Sequence, residues 1–64
     1  MININNQIIT ISKFNKIISI EDNKIILNYK LYKLDILGTN LKITYLSKDD
    51  IEIHGNISKV EFYE

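Results

Sequence analysis

Short runs of alternating apolar and polar residues recur along the whole chain, and this pattern constrains the fold most strongly. The clearest runs are Leu34/Ile36, Leu41/Ile43/Tyr45, Ile51/Ile53 and Val60/Phe62. Alternation with a period of two places successive side chains on opposite faces of a strand. Regularly spaced short strands predict an all-β domain of about six to seven strands, mostly an antiparallel meander that forms a roll or a two-layer sandwich.

The same alternation predicts which side chains form the core. The inward set is Leu34, Ile36, Leu41, Ile43, Ile51, Ile53, Val60 and Phe62. The residues between them, such as Asp35 and Glu52, are then expected on the solvent face. Residues 1–64 are expected to form one domain, because a chain of this length rarely holds more than one core.

Turn chemistry separates the predicted strands. Turns are expected at 21–24, 38–40, 47–50 and 55–56, where residues that tolerate turns cluster. Near 30–33 the apolar phase slips by one residue, which predicts a turn or bulge. Gly38 and Gly55 are the only glycines, and each is expected to take a positive φ at a strand end.

Two segments of the form strand-then-glycine leave a second architecture open. Residues 34–38 and 51–55 are similar to one another, which is compatible with a short β-solenoid. Two copies are weak support, because a solenoid needs about three repeats or more. An antiparallel meander produces the same pattern.

Composition removes the usual ways of stabilising so small a domain. The chain has 15 Ile but no Cys and only one His, so neither a disulfide nor a His- or Cys-based structural zinc site is expected. Burial of apolar surface and self-association therefore remain as the expected sources of stability. Eight lysines balance eight acids and there is no Arg, which argues against a nucleic-acid footprint.

The first residues carry no basic segment followed by an apolar one, so no signal peptide is expected. No apolar run approaches the roughly 20 residues that span a bilayer. A cytoplasmic location without direct membrane insertion is therefore expected, unless a partner holds the chain elsewhere.

Candidate catalytic or metal-ligating residues are few. His54, Asp49, Asp50 and Glu52 are expected to be surface residues with no joint role, because they lack a nucleophile or the ligand spacing of a calcium loop. Neither a catalytic site, a cofactor site nor a metal site is predicted, and the chain is expected not to be an enzyme.

Four tyrosines and Phe62 interleave with lysines between Tyr29 and Tyr63. Such a pattern can form a stacking platform for single-stranded nucleic acid. The balancing acids weigh against this, so nucleic acid is not the expected partner. A generic small β binding module for protein or single-stranded nucleic acid remains the alternative function.

Adjacent isoleucines place apolar side chains on both faces of some strands. The pairs are Ile8 and Ile9, Ile17 and Ile18, and Ile25 and Ile26. A second apolar face needs a second layer or a partner. These six residues are the predicted self-association surface, and a homo-oligomer is expected.

From Ile9 to Gly38, and in further matching segments as far as Ile57, the chain resembles the small sporulation proteins of the YabP/YqfC family. The matching segments are Ile17-Ile18-Ser19-Ile20-Glu21-Asp22, Ile25-Ile26-Leu27, Leu34-Asp35-Ile36-Leu37-Gly38, Asn40-Leu41-Lys42-Ile43-Thr44-Tyr45-Leu46 and Ile51-Glu52-Ile53-His54-Gly55-Asn56-Ile57. Both glycines lie where the family pattern has them. Tyr32 stands where that pattern has a turn glycine, which marks a divergent member.

The resemblance implies a non-enzymatic protein of endospore formation. It implies a structural or assembly protein in the mother cell, on that side of the developing spore. A membrane-associated sporulation protein is the implied partner, because family members often lie beside a membrane-protein gene. Contacts through the β surface would join the chain to that partner and to its own copies.

Overall fold

The computed structural model describes residues 2–64, and it contains six β-strands and no helix within that range. The strands are β1 (Ile2–Ile4), β2 (Ile8–Ser12), β3 (Lys16–Glu21), β4 (Lys24–Tyr29), β5 (Tyr32–Leu46) and β6 (Asp50–Tyr63). The all-β prediction is therefore confirmed. A strand at β1 was missed, because three residues are too few to show a period.

The six strands form one open antiparallel sheet in the order β1-β2-β6-β5-β4-β3. From β3 to β6 each strand pairs with the next along the chain, as expected for a meander. β2 instead pairs with β6, and residues 13–15 cross from β2 to β3. Because every ladder is antiparallel, the β-solenoid alternative is wrong.

The central hairpin of β5 and β6 differs from the prediction of short strands. β5 has 15 residues and β6 has 14, because the predicted turns at 38–40 and 55–56 lie inside the strands. The register shifts there, between Leu37 and Gly38 and again between Thr39 and Lys42. These bulges bend both strands without ending them. We call this bend the crossing.

Backbone proximity at the crossing explains both glycines. A Cβ on Gly38 would lie 2.0 Å from the carbonyl oxygen of Asn56, so only glycine fits. Gly55 has a φ of 147°, and a Cβ there would lie 2.7 Å from the carbonyl oxygen of Asn40. The predicted positive φ is confirmed at Gly55 and wrong at Gly38, where close backbone approach is the reason for glycine.

The crossing divides the sheet into two four-stranded parts. The first half-sheet consists of β1, β2, residues 50–54 of β6 and residues 41–46 of β5. The second half-sheet consists of β3, β4, residues 32–37 of β5 and residues 57–63 of β6. The smallest dimension of the molecule is 19 Å, whereas a single flat sheet is only about 10 Å thick. The sheet is therefore folded over at the crossing.

One hydrophobic core draws on one face of both half-sheets. Its buried residues are Ile9, Ile11, Phe14, Ile25, Leu27, Tyr29, Leu34, Ile36, Leu41, Ile51 and Ile53. The core prediction is confirmed for Leu34, Ile36, Leu41, Ile51 and Ile53. Partly buried hydrophobic residues, including Ile43 and Val60, pack against this cluster.

Phe62 was predicted in the core and is 50% exposed. It lies opposite Leu34, so its face was predicted correctly. The error has a positional cause: residues 57–63 pair with β5 on one side and have no strand on the other among residues 2–64.

The remaining turns agree with the prediction. Asp22 and Asn23 join β3 to β4, and residues 47–49 join β5 to β6. The phase slip near 30–33 is the two-residue turn Lys30-Leu31, where Lys30 has a φ of 56°.

Two of the connections also support the crossing. Gly38 N donates to Asn23 O at 3.1 Å, and Leu41 N donates to Asp22 O at 2.8 Å. From the other side, Ile57 N donates to Asn6 O at 3.1 Å. The β1–β2 and β3–β4 connections thereby satisfy backbone groups that the bulges release from the ladder.

Candidate functional site: the free edges of the sheet

Folding the sheet at the crossing leaves four strand sides without a partner strand among residues 2–64. They belong to β1, β3, residues 41–46 of β5 and residues 57–63 of β6, and we call them the free edges. A free edge presents unpaired N–H and C=O groups to any strand that can align with it.

Exposed large apolar side chains concentrate on these edges. The edge residues of this kind are Ile4, Ile18, Ile20, Tyr45, Leu46, Phe62 and Tyr63. The remaining two, Leu31 and Tyr32, lie at the β4–β5 turn. Exposed apolar surface gathered at unpaired edges is typical of a contact site.

Four of the edge residues continue the hydrophobic core outward. The cross-strand pairs are Ile4 with Ile9, Ile20 with Ile25, Leu46 with Ile51, and Phe62 with Leu34. The second member of every pair is fully buried, and directly opposed residues share a face of the sheet. We call Ile4, Ile20, Leu46 and Phe62 the apolar rim, because they extend the core beyond the part that the two half-sheets cover.

The predicted self-association surface requires correction. Ile9 and Ile25 are 0% exposed, so they belong to the core and cannot form a surface of the folded chain. Ile8, Ile17 and Ile26 are half-buried, whereas Ile18 is 49% exposed. In each adjacent pair at least one residue packs in or against the core. Of the six, only Ile18 combines clear exposure with a free edge.

His54 and Glu52 form a small network on the outer face of the first half-sheet. His54 Nε2 donates to Glu52 Oε2 at 3.0 Å, and Thr44 Oγ1 donates to the same oxygen at 3.0 Å. These hydrogen bonds, first from His54 and then from Thr44, hold the pKa of Glu52 below its usual value. Glu52 and His54 therefore contact each other. The expectation that these residues have no joint catalytic or metal-binding role stays a prediction.

Asp49 and Asp50 stand apart from that network. Asp49 O accepts from Lys13 N and Phe14 N, which fixes the connection between β2 and β3. Asp50 N donates to Ser47 Oγ at 3.1 Å, which closes the β5–β6 turn. Within residues 2–64 no group of three or more His, Cys, Asp or Glu side chains could hold a metal ion.

Asp35 is the buried charge that sequence reasoning placed in solvent. It lies on the outer face of the second half-sheet, opposite Ile26 and Glu61, but it is buried. Lys24 Nζ lies 3.9 Å from its Oδ2, while Oδ1 has no hydrogen-bond partner. Alternation reports the face of a residue and not how closely its neighbours cover it, so no sequence signal marked this burial.

The fold and its edges define a class: a small all-β domain folded around one core, with apolar residues along its free edges. Within that class the chain belongs to the YabP family, whose model matches residues 1–64. This confirms the resemblance. Membership of the family indicates a small sporulation-related protein.

Neither a curated protein nor a solved structure gives a significant match to the chain. Among residues 2–64, no helix is long and apolar enough to cross a membrane.

Proposed function

We propose that this chain is a non-enzymatic assembly protein of endospore formation, which acts through contacts at the free edges of its sheet. Its location would be the mother-cell cytoplasm. The partners would be other copies of the chain and a membrane-associated sporulation protein, with no cofactor and no nucleic acid. Membership of the YabP family supports the sporulation role.

The apolar rim is the observation that carries the assembly mechanism. Ile4, Ile20, Leu46 and Phe62 each lie opposite a fully buried residue, yet each is about half exposed. Burying such side chains stabilises a complex by about 25 cal/mol per Å² of apolar area removed from water. A strand added at an edge would also satisfy the unpaired backbone groups.

The arrangement of the aromatic residues supports protein contacts over nucleic-acid stacking. Tyr29 is buried, and Tyr32 packs edge-on against Phe62 with ring centroids 6.0 Å apart. Tyr45 lies in the first half-sheet, and Tyr63 Oη donates to Glu61. These rings do not share one surface, whereas a stacking platform needs successive exposed faces.

The test substitutes two residues of the apolar rim in sporulating cells. Ile20→Lys and Leu46→Lys place a charge at two different free edges while leaving the fully buried core unchanged. Each variant is expected to lower the number of heat-resistant spores, because a charge opposes burial of the edge against a partner. The thermal midpoint of the purified variants shows whether they remain folded.

Leu31→Lys is the matched control. Leu31 is 89% exposed, more than any rim residue, but it lies at the tip of the β4–β5 turn. This control is expected to sporulate like the parent. Folded rim variants that give normal spore counts would overturn the proposed mechanism.

A further inference from the structure

The sequence of β3 is complementary to itself when reversed. Lys16 and Glu21 stand at its two ends, Ile17 and Ile20 lie inside them, and Ile18 and Ser19 lie at the centre. We propose that β3 pairs antiparallel with β3 of a second copy, about a two-fold axis between Ile18 and Ser19. This inference rests on the proposed assembly function and specifies the edge and the register.

The proposed register requires Ile17 and Ile20 to direct their backbone N–H and C=O groups toward the free edge of β3, and they do. Asn28 O accepts from Asn15 N at 2.9 Å, so the backbone groups of Asn28 face the β3 side. Backbone direction alternates along a strand, so Ile25 and Leu27 face β5 instead. Their partners Ile20 and Ile17 therefore direct their backbone groups away from β4, toward the free edge.

The bulge in β3 makes this orientation possible. The register shifts between Ile17 and Ser19, which leaves Ile18 as an extra residue in β3. Ile17 and Ile20 are three residues apart, yet because of this extra residue both direct their backbone groups away from β4. In the proposed register Ile17 of one copy lies opposite Ile20 of the other, and both direct hydrogen-bonding groups across the axis. A strand without the bulge would pair an outward residue with an inward one, which forms no regular ladder.

The side chains of β3 are also complementary in the proposed register. Ile17 and Ile20 lie opposite the buried residues Leu27 and Ile25, so they occupy the core face and meet across the axis on that face. Lys16 of each copy lies opposite Glu21 of the other on the outer face, which gives two opposite-charge pairs. The pairing also covers Ile18 and Ile20, which are 49% and 56% exposed.

Two of the other free edges, β1 and residues 57–63 of β6, fit a second copy less well. β1 has three residues, so it could pair with a second copy over only half the length that β3 offers. Along residues 57–63, Ile57 N is bound to Asn6 O and Lys59 already pairs with Glu61 at 3.3 Å. In contrast, β3 has six residues, and the charged residues at its ends, Lys16 and Glu21, form no ion pair among residues 2–64.

Pairing at β3 would join the second half-sheet of one copy to the second half-sheet of the other, which forms one continuous eight-stranded sheet. The interface is small, because each copy contributes one short strand. Interfaces of this size give weak, reversible association. We expect a dimer of twice 7.5 kDa that dissociates in the micromolar range.

Charge reversal tests the register. Lys16→Glu or Glu21→Lys turns both opposite-charge pairs into like-charge pairs. Each single variant is expected to raise the dimer dissociation constant by roughly tenfold, measured by sedimentation equilibrium at low salt. The double variant Lys16→Glu/Glu21→Lys restores both pairs and is expected to regain parental affinity.

Mixing the two single variants provides a sharper measurement. A Lys16→Glu chain next to a Glu21→Lys chain has opposite charges at both pairs, although neither chain complements itself. The mixture is therefore expected to form heterodimers at concentrations where each variant alone is monomeric. Lys48→Glu, in the β5–β6 turn, is the matched control and is expected to dimerise like the parent.

Two results would overturn the pairing. One is a parent chain that stays monomeric at about 100 μM, a concentration far above a micromolar dissociation constant. The other is a dimer that Lys59→Glu weakens while both β3 reversals leave it intact. Failure of the wider assembly function is seen separately, as normal spore counts in the Ile20→Lys and Leu46→Lys variants.

Discussion

The crossing and the free edges are opposite extremes of the same sheet. At the crossing, backbone meets backbone so closely that a methyl group on Gly38 would overlap Asn56 O. At the edges, Ile20 and Leu46 lie in line with the core and are still about half exposed. The fold therefore depends on the crossing, while the residues that we propose for contacts with partners are ones that the fold leaves partly exposed.

The largest effect is expected at the crossing. Gly38→Ala is expected to cost more than about 4 kcal/mol of unfolding free energy, because a Cβ cannot be placed near the Asn56 carbonyl. That loss equals or exceeds the ~3–5 kcal/mol available to a domain of this size. Circular dichroism should show an unfolded chain at 25 °C. A folded, cooperative Gly38→Ala variant would show that the crossing has room to move.

The core and the rim give the next contrast, because Ile53 and Ile20 differ mainly in burial. Ile53→Ala is expected to cost about 2–5 kcal/mol, whereas Ile20→Ala should cost under about 0.5 kcal/mol in the monomer. Urea unfolding at sub-micromolar concentration provides the comparison. If Ile53→Ala unfolds the chain, Ile53→Val and Ile20→Val retain the test, with about 1 kcal/mol expected at Ile53 alone. Equal losses at both sites would contradict the distinction.

A gain in stability is expected at Asp35. Its Oδ1 is buried without a partner, and the pair with the partly exposed Lys24 is long. A buried unsatisfied polar group costs about 1–3 kcal/mol, and a partly exposed ion pair returns less. Asp35→Leu is therefore expected to raise the unfolding free energy by about 1 kcal/mol, while Asp49→Leu at an exposed turn gives no gain. A lower unfolding free energy in Asp35→Leu would show that the Asp35 side chain makes stronger polar interactions than its distances indicate.

The smallest effect concerns Glu52, whose side chain is partly exposed. Hydrogen bonds from His54 and Thr44 hold its pKa below 4.5 in the folded chain. The stability it adds is present above pH 4.5 and is lost as the pH falls through the folded-state pKa. Glu52→Gln should therefore lower the thermal midpoint slightly at pH 7 and match the parent in strong acid. A difference that grows on acidification would have the wrong sign.

Residue alternation was sufficient to predict the strand class and five of the eleven buried core residues. It identified Leu34, Ile36 and Ile53 as inward because a period of two is a local property of the strand. The crossing could not be predicted this way, because Gly38 is required by the carbonyl of a residue on the neighbouring strand. Local turn chemistry at Asn40 and Asn56 instead indicated chain reversals that do not occur.

The candidate site was predicted only in part. Adjacent isoleucines indicated β3, where Ile18 is exposed at a free edge, but Ile9 and Ile25 cannot contribute to a surface because they are buried. Which strands become edges depends on β2 pairing with β6, and nothing in the local sequence reports a pairing between distant segments. The rim residue Phe62 was assigned to the core for the same reason.

The pairing of β2 with β6 also sets an order for folding. The three hairpins from β3 to β6 close short loops, whereas β2 meets its partner almost at the other end of the chain: Ile8 lies opposite His54. Long loops close at a higher entropic cost and more slowly. The N-terminal hairpin would therefore dock last, onto a preformed meander. Its release would be the first opening of the native protein, which hydrogen exchange of the β1 and β2 amides would report.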